Sequence, residues 1–134
     1  MQINDIIENF ELIDAWEDKY RYIIELGETL PLLEEKFKTE DWKVKGCMSQ
    51  VWLVPEIIDG KISFKGDSDA MIVKGIMAIV FSIFANKSAK EITGIEVGNI
   101  FVKLGLMEHL SPNRRSGLLS MVDKIKFYAE TFKG

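Results

Sequence analysis

At 134 residues and 15.3 kDa the chain has the length of one domain, so residues 1–134 are read as a single unit. A 47% hydrophobic content excludes a disordered chain, and a net charge of −4 with a pI near 5.1 argues against a broad electrostatic grip on nucleic acid or anionic lipid. A single cysteine excludes an intramolecular disulfide and a thiolate metal cage, and suits a reducing, cytoplasmic setting.

The first ten residues carry Asp5 and Glu8 and lack the basic start and apolar run of a secretory signal. Ile3, Ile6, Ile7 and Phe10 fall on one face of a helix. Asp14 and Glu17 have capping-box spacing, and Trp16, Tyr20, Ile23 and Ile24 continue a second helix until Gly27 offers a stop. Leu30, Leu32 and Leu33 around Pro31 suit a short helical turn, and the mixed charges of residues 34–45, without a period, read as an exposed loop.

Residues 50–58 and 61–65 are rich in β-formers and flank Asp59-Gly60, the signal of a type I′ hairpin. Ile62 and Phe64 then point inward, and the run 66–69 breaks the strand, with Ser68 or Asp69 capping the next segment. That apolar stretch, 70–85, is too long for a strand in so small a domain. It also falls short of the roughly 20 apolar residues of a membrane span and contains Lys74, so it reads as a central buried helix. Ser88 and Glu91 form a capping box; Val97, Ile100, Phe101 and Leu104 make a short amphipathic helix ended by Gly105. Ser111-Pro112 opens the last helix, with Leu118, Met121, Val122, Ile125, Tyr128 and Phe132 as its buried stripe. The fold class is α+β, a small antiparallel sheet packed against several helices.

Cys47 stands out for chemistry. Lys43 and Lys45 beside it favour thiolate over thiol, and Gly46 allows backbone conformations that an exposed reactive loop requires. The alternative is a buried structural thiol. His109, the only histidine, raises a thiol enzyme with a Cys47–His109 dyad, although no orienting group or oxyanion donor is identifiable. One Cys and one His leave too few ligands for a zinc or iron–sulfur site, so no metal and no cofactor is expected on this chain. Arg114 and Arg115 sit in the first helical turn, where the macrodipole disfavours cations, which points to a carboxylate contact within the fold or on a partner. Asp67 and Asp69 are loop and cap residues unless they flank Cys47 in space. Met48, Met71, Met77, Met107 and Met121 read as core filler.

Four stretches carry a resemblance: Trp16-Glu17-Asp18-Lys19-Tyr20 with Tyr22-Ile23-Ile24-Glu25-Leu26-Gly27; Gly46-Cys47-Met48-Ser49-Gln50-Val51-Trp52; Gly66-Asp67-Ser68-Asp69-Ala70 with Ile72-Val73-Lys74-Gly75; and His109-Leu110-Ser111-Pro112-Asn113-Arg114 with Gly117-Leu118. In this order they resemble the SufE-like sulfur acceptors that work with the PLP-dependent cysteine desulfurase (SufS-like) of iron–sulfur cluster assembly. The resemblance implies that Cys47 accepts persulfide sulfur, stimulates the desulfurase and relays sulfur to a downstream iron–sulfur scaffold. It implies that Gly46, Asp69, His109 and Arg114 dock the partner or position the cysteine loop. The PLP then belongs to the partner, and the chain is a carrier without independent turnover. A non-catalytic desulfurase-binding module is the further alternative. The implied fold is that of the IscU/NifU-like scaffold proteins, without their cluster cysteines. The expected partners are proteins, with neither nucleic acid nor membrane, and the expected state is a monomer or weak homodimer.

Overall fold

A computed structural model describes residues 2–132. The chain runs through α1 (Ile3–Leu12), α2 (Trp16–Glu28), two 3-10 turns (Glu35–Phe37 and Glu40–Trp42), β1 (Val51–Ile58), β2 (Lys61–Ser68), α3 (Met71–Phe84), α4 (Ala89–Thr93), α5 (Gly98–Leu104), α6 (Leu106–His109) and α7 (Pro112–Phe132). Among the described residues this is an α+β architecture, a two-stranded antiparallel sheet with seven α-helices.

The central helix is buried nearly all round, as a helix apolar on every face must be. Ile76, Ile79, Val80 and Phe84 of α3 are wholly enclosed. Around it pack α2, α7 and β2, and Leu118, Met121, Val122 and Ile125 of α7 close the same core. The α2–α3 crossing is unusually tight. A Cβ on Gly75 would stand 2.1 Å from the Ile23 carbonyl oxygen, and one on Gly27 2.8 Å from the Gly75 nitrogen. Here two glycines let backbone meet backbone, and this corrects the expectation that Gly27 ends its helix: α2 continues to Glu28.

The hairpin forms where Asp59-Gly60 placed it. Asp59 (φ 53°) and Gly60 (φ 77°) both take the left-handed conformation of a type I′ turn, and Ile58 pairs with Lys61. Ile62 is buried, and Phe64 stacks on Phe81 of α3 with centroids 5.8 Å apart. The second strand does not break at Gly66. It runs on to Ser68, pairing Gly66 with Leu53 and Ser68 with Val51. Gly66 is there because a side chain would strike Met77 Sδ and the Trp52 carbonyl oxygen, both 2.6 Å away. On β1, Pro55 has no N–H to donate, and the Leu53 carbonyl accepts the Tyr128 hydroxyl at 3.4 Å.

Other local signals divide. The Ser88–Glu91 capping box is formed in both directions, Gly105 ends α5 at φ 70°, and Pro112 is the first residue of α7. The Asp14–Glu17 box is not formed, since Ala15 is the N-cap of α2 without a side-chain bond. Leu30, Leu32 and Leu33 make no helix; Leu33 is buried while Leu32 is exposed. The 34–45 segment is more ordered than a plain loop. Phe37 meets Trp42 edge to face at 6.2 Å, and Val44 is buried against β1. Neither Ser68 nor Asp69 caps α3, whose N-cap is Ala70; the Ser68 hydroxyl accepts the Ala70 N–H instead. The one-turn α6 was not legible from periodicity, and Phe132 is partly exposed rather than buried.

Candidate functional site

Residues 45–49 form a loop tied at both ends. At its base the Val44 N–H donates to the Val51 carbonyl (2.8 Å), and Lys43 bridges Trp52. At its exit the Gln50 N–H donates to Asp69 Oδ1 (3.0 Å), while the Asp69 N–H donates to the Gln50 carbonyl (3.3 Å). Asp69 therefore clasps the loop, which explains why it is not a helix cap. Gly46 takes φ +87°, a conformation that L side chains rarely adopt, and lies against Ser120 of α7, whose hydroxyl would be 2.7 Å from a Cβ.

Cys47 sits between these ties, half-buried. Its Sγ lies 3.9 Å from the Gly117 carbonyl, a weak contact, and a Cβ on Gly117 would come only to van der Waals distance, 3.6 Å. The thiol opens on a cavity of about 380 Å³. Ala70, Ile72 and Val73 at the start of α3 supply its apolar wall. Ser111, Asn113 and Arg114 at the start of α7 supply the polar rim, and Met48 and Ser49 close it from the loop. Burial pushes the Cys47 thiol up from its ordinary pKa. The expected activation by Lys43 and Lys45 is not seen. Both ammonium groups turn to Glu40, at 3.6 Å and 3.2 Å, and the hydrogen bond from Lys45 with the charge of Lys43 holds the Glu40 carboxyl below its usual range.

Of the other sequence candidates, Arg114 is exposed on the cavity rim, and among the described residues no carboxylate lies within ion-pair distance of it. Its neighbour Arg115 is spent inside the fold, donating to the Met107 carbonyl at 3.2 Å. Asp67 is spent likewise. Its carboxylate meets Lys38 (3.2 Å), Lys74 (3.4 Å) and the Ser68 N–H (2.8 Å); burial alone would raise its pKa, but these partners together hold it below the usual range. His109 does not reach the thiol's surroundings. Its ring stacks on Trp16 at 3.9 Å and 12°, its Nδ1 pairs with the Gly105 carbonyl at 3.0 Å, and the cavity lining does not include it. The Cys47–His109 dyad is therefore not assembled. Met77 and Met121 are core residues, whereas Met48 and Met71 are exposed, Met48 by 81%. Sequence reading missed Ser120 and the apolar wall from α3; a serine in a helix carries no signal that a loop leans on it. No cluster of three or more His, Cys, Asp or Glu with metal-holding geometry occurs among the described residues.

The profile of the SufE family, described as an Fe-S metabolism associated domain, matches residues 4–129. The chain belongs to the SufE family. With that membership comes a role in Fe–S metabolism. An uncharacterized SufE-like protein of Rhizobium meliloti (strain 1021) is 50% identical over 132 residues, covering 96% of this chain and 94% of its own. One of Rhizobium etli is 48% identical over 128 residues, covering 92% and 86%. A solution structure of a hypothetical protein from Thermus thermophilus superposes with a TM-score of 0.78 at 17% identity, covering 97% of this SufE-family chain and 94% of its own, and so shares the fold. No helix among the described residues is long and apolar enough to cross a membrane.

Proposed function

We propose that the protein is a sulfur acceptor: it takes persulfide sulfur from a PLP-dependent cysteine desulfurase onto Cys47, stimulates that enzyme and relays the sulfur for iron–sulfur cluster assembly in the cytoplasm. One observation carries the reading. The only thiol of the chain is held in a cavity at the tip of a short loop closed at its base, so it can be sheltered or presented without disturbing the sheet.

The chemistry is a thiolate displacement. Cys47 gives up its proton, and its thiolate attacks the terminal sulfur of the desulfurase persulfide. A sulfur–sulfur bond forms on Cys47, the one on the donor breaks, and the donor cysteine leaves as a thiolate that takes up a proton; no net electrons are exchanged. In the cavity burial favours the thiol over the thiolate and so lowers the reactivity of Cys47. Swinging the loop about Gly46 towards the partner removes the desolvation and restores the nucleophile where the donor is. A persulfide is open to reductants and oxidants in water, so returning to the cavity protects it. The unpaired Arg114 guanidinium on the rim suits a carboxylate of the desulfurase, and Asp69 holds the loop ready.

The chain acts without turnover of its own, and the PLP remains with the desulfurase. The likeness to IscU/NifU-like scaffold folds belongs to the same proposal: a scaffold-like frame that carries one thiol in place of a set of cluster ligands. The test is intact mass under non-reducing conditions after incubation with an active cysteine desulfurase and free cysteine, with the Cys47→Ser variant alongside. Added sulfur on the parent, removed by reductant and absent from Cys47→Ser, is the expected result. No added sulfur with a desulfurase that is itself active overturns the reading. A Cys47→Ser variant that still stimulates the desulfurase fully would leave a binding module instead.

A further inference from the structure

The rim residues Ser111, Asn113 and Arg114 belong to the corner between α6 and α7. α6 is a single turn of four residues, and a helix so short is not stable by itself. Leu106 and Leu110 anchor the corner in the core and Arg115 ties it to α7, while its outer side is held by α2. The Trp16 indole carries the His109 ring flat upon it, the Tyr20 hydroxyl donates to the His109 carbonyl, and a Cβ on Gly105 would stand 3.0 Å from the indole Cζ2. His109 in turn ties Gly105 through Nδ1, so one side chain joins both ends of α6 to α2. α2 is a fixed reference, because the Gly27–Gly75 crossing joins it to the central helix.

His109 is exposed and lies two residues before Ser111. Its ring contacts are with the Trp16 indole and the Gly105 carbonyl, both of which bear on the placement of the corner. We infer that Trp16, acting through His109, is a positioning residue that sets the 111–114 wall over Cys47. The assignment deepens the sulfur-acceptor reading and rests on it only for its effect on the partner. A loosened corner swings Arg114 away from the rim and leaves the thiol less covered.

The experiment is the rate of Cys47 alkylation by iodoacetamide in the full chain, followed by mass, at several low urea concentrations, for the parent, His109→Ala and His109→Phe. His109→Ala is expected to react roughly two- to tenfold faster, the range the strength of an aromatic stack allows. That increase should be nearly independent of urea, because a local opening exposes little surface. His109→Phe, which keeps the stack and loses only the Nδ1 bond to Gly105, should fall between the two and nearer the parent. Parent-like rates in His109→Ala overturn the inference. So does an increase that climbs steeply with urea, which is global unfolding, and so does a Phe variant as fast as the Ala variant. No desulfurase enters this assay. A parent that takes up no sulfur would therefore sink the acceptor reading and leave the wall assignment standing on its own result.

Discussion

In two regions of the molecule a glycine stands where a Cβ would strike a neighbour, and the neighbours differ in kind. At the α2–α3 crossing the obstacle to a Cβ on Gly75 is the Ile23 carbonyl, part of a helix backbone that has nowhere to go. At the cysteine loop the obstacle to a Cβ on Gly46 is the Ser120 hydroxyl, the end of a small side chain that can turn aside. The first contact is a weld and the second is a rest. The difference shows that close approach is of two kinds in a small fold: backbone against backbone cannot yield, whereas a side-chain end can turn aside.

The comparison is broken most directly at the weld. Gly75→Ala forces a methyl into a carbonyl oxygen and is expected to cost about 3 kcal/mol or more, or to prevent folding, as read by urea denaturation. A variant with the parent's midpoint would show that the crossing can slide. Gly46→Pro should do the reverse, leaving the denaturation midpoint closer to the parent's than Gly75→Ala does, while impairing sulfur uptake. Proline fixes φ near −65° where the loop takes +87°. Equal sulfur uptake by Gly46→Pro and the parent would show that the loop's conformation is immaterial.

The two regions also differ in how far the sequence disclosed them. Gly27 looks like a helix stop because its neighbours suggest nothing else, yet its reason lies on another helix, at Gly75. Gly66 looks like a strand break for the same cause, its reason being Met77 and the Trp52 carbonyl. By contrast, Asp59-Gly60, the Ser88–Glu91 box and Ser111-Pro112 are satisfied within a few residues of chain, and each appears where local chemistry put it. The site divides in the same way. Cys47 was legible as a lone thiol beside a glycine, and Arg114 as a cation at the unfavourable end of a helix. The burial that raises the Cys47 pKa, and the Glu40 that draws off both lysines, depend on contacts through space.

The loop side of the comparison sharpens with smaller changes. Asp69→Ala removes the acceptor for the Gln50 N–H, a loss of about 1 kcal/mol to loop closure, so Cys47 alkylation should quicken about fivefold, whereas Asp69→Asn, which keeps Oδ1, should change it less. Equal rates in both would mean that the clasp does not restrain the tip.

A pH series tests the cavity itself. The folded thiol is pushed above its unfolded pKa, so the stability this group contributes is whole below the ordinary thiol pKa and is lost as pH rises through the folded one. The alkylation profile of the native chain should accordingly lie at higher pH than that of the urea-unfolded chain, and coincident profiles would contradict burial as the cause. The smallest effect belongs to Lys43→Ala with Lys45→Ala. Since both lysines serve Glu40, alkylation should stay within about twofold of the parent, as exposed pairs are worth under 1 kcal/mol. A large drop would restore their role in activating the thiol.

Pro55 has a consequence beyond the site. A lone hairpin carries an outer row of backbone donors that invites another chain to add a strand, and the exposed Ile57 and Ile58 near its tip would make such stacking adhesive. With no N–H at Pro55 and the Leu53 carbonyl already taken by Tyr128, that row is interrupted on its own strand. The hairpin is thus a poor template for fibril growth, and the net negative charge adds mutual repulsion between copies. A carrier of the proposed kind, passing between partners, gains from both.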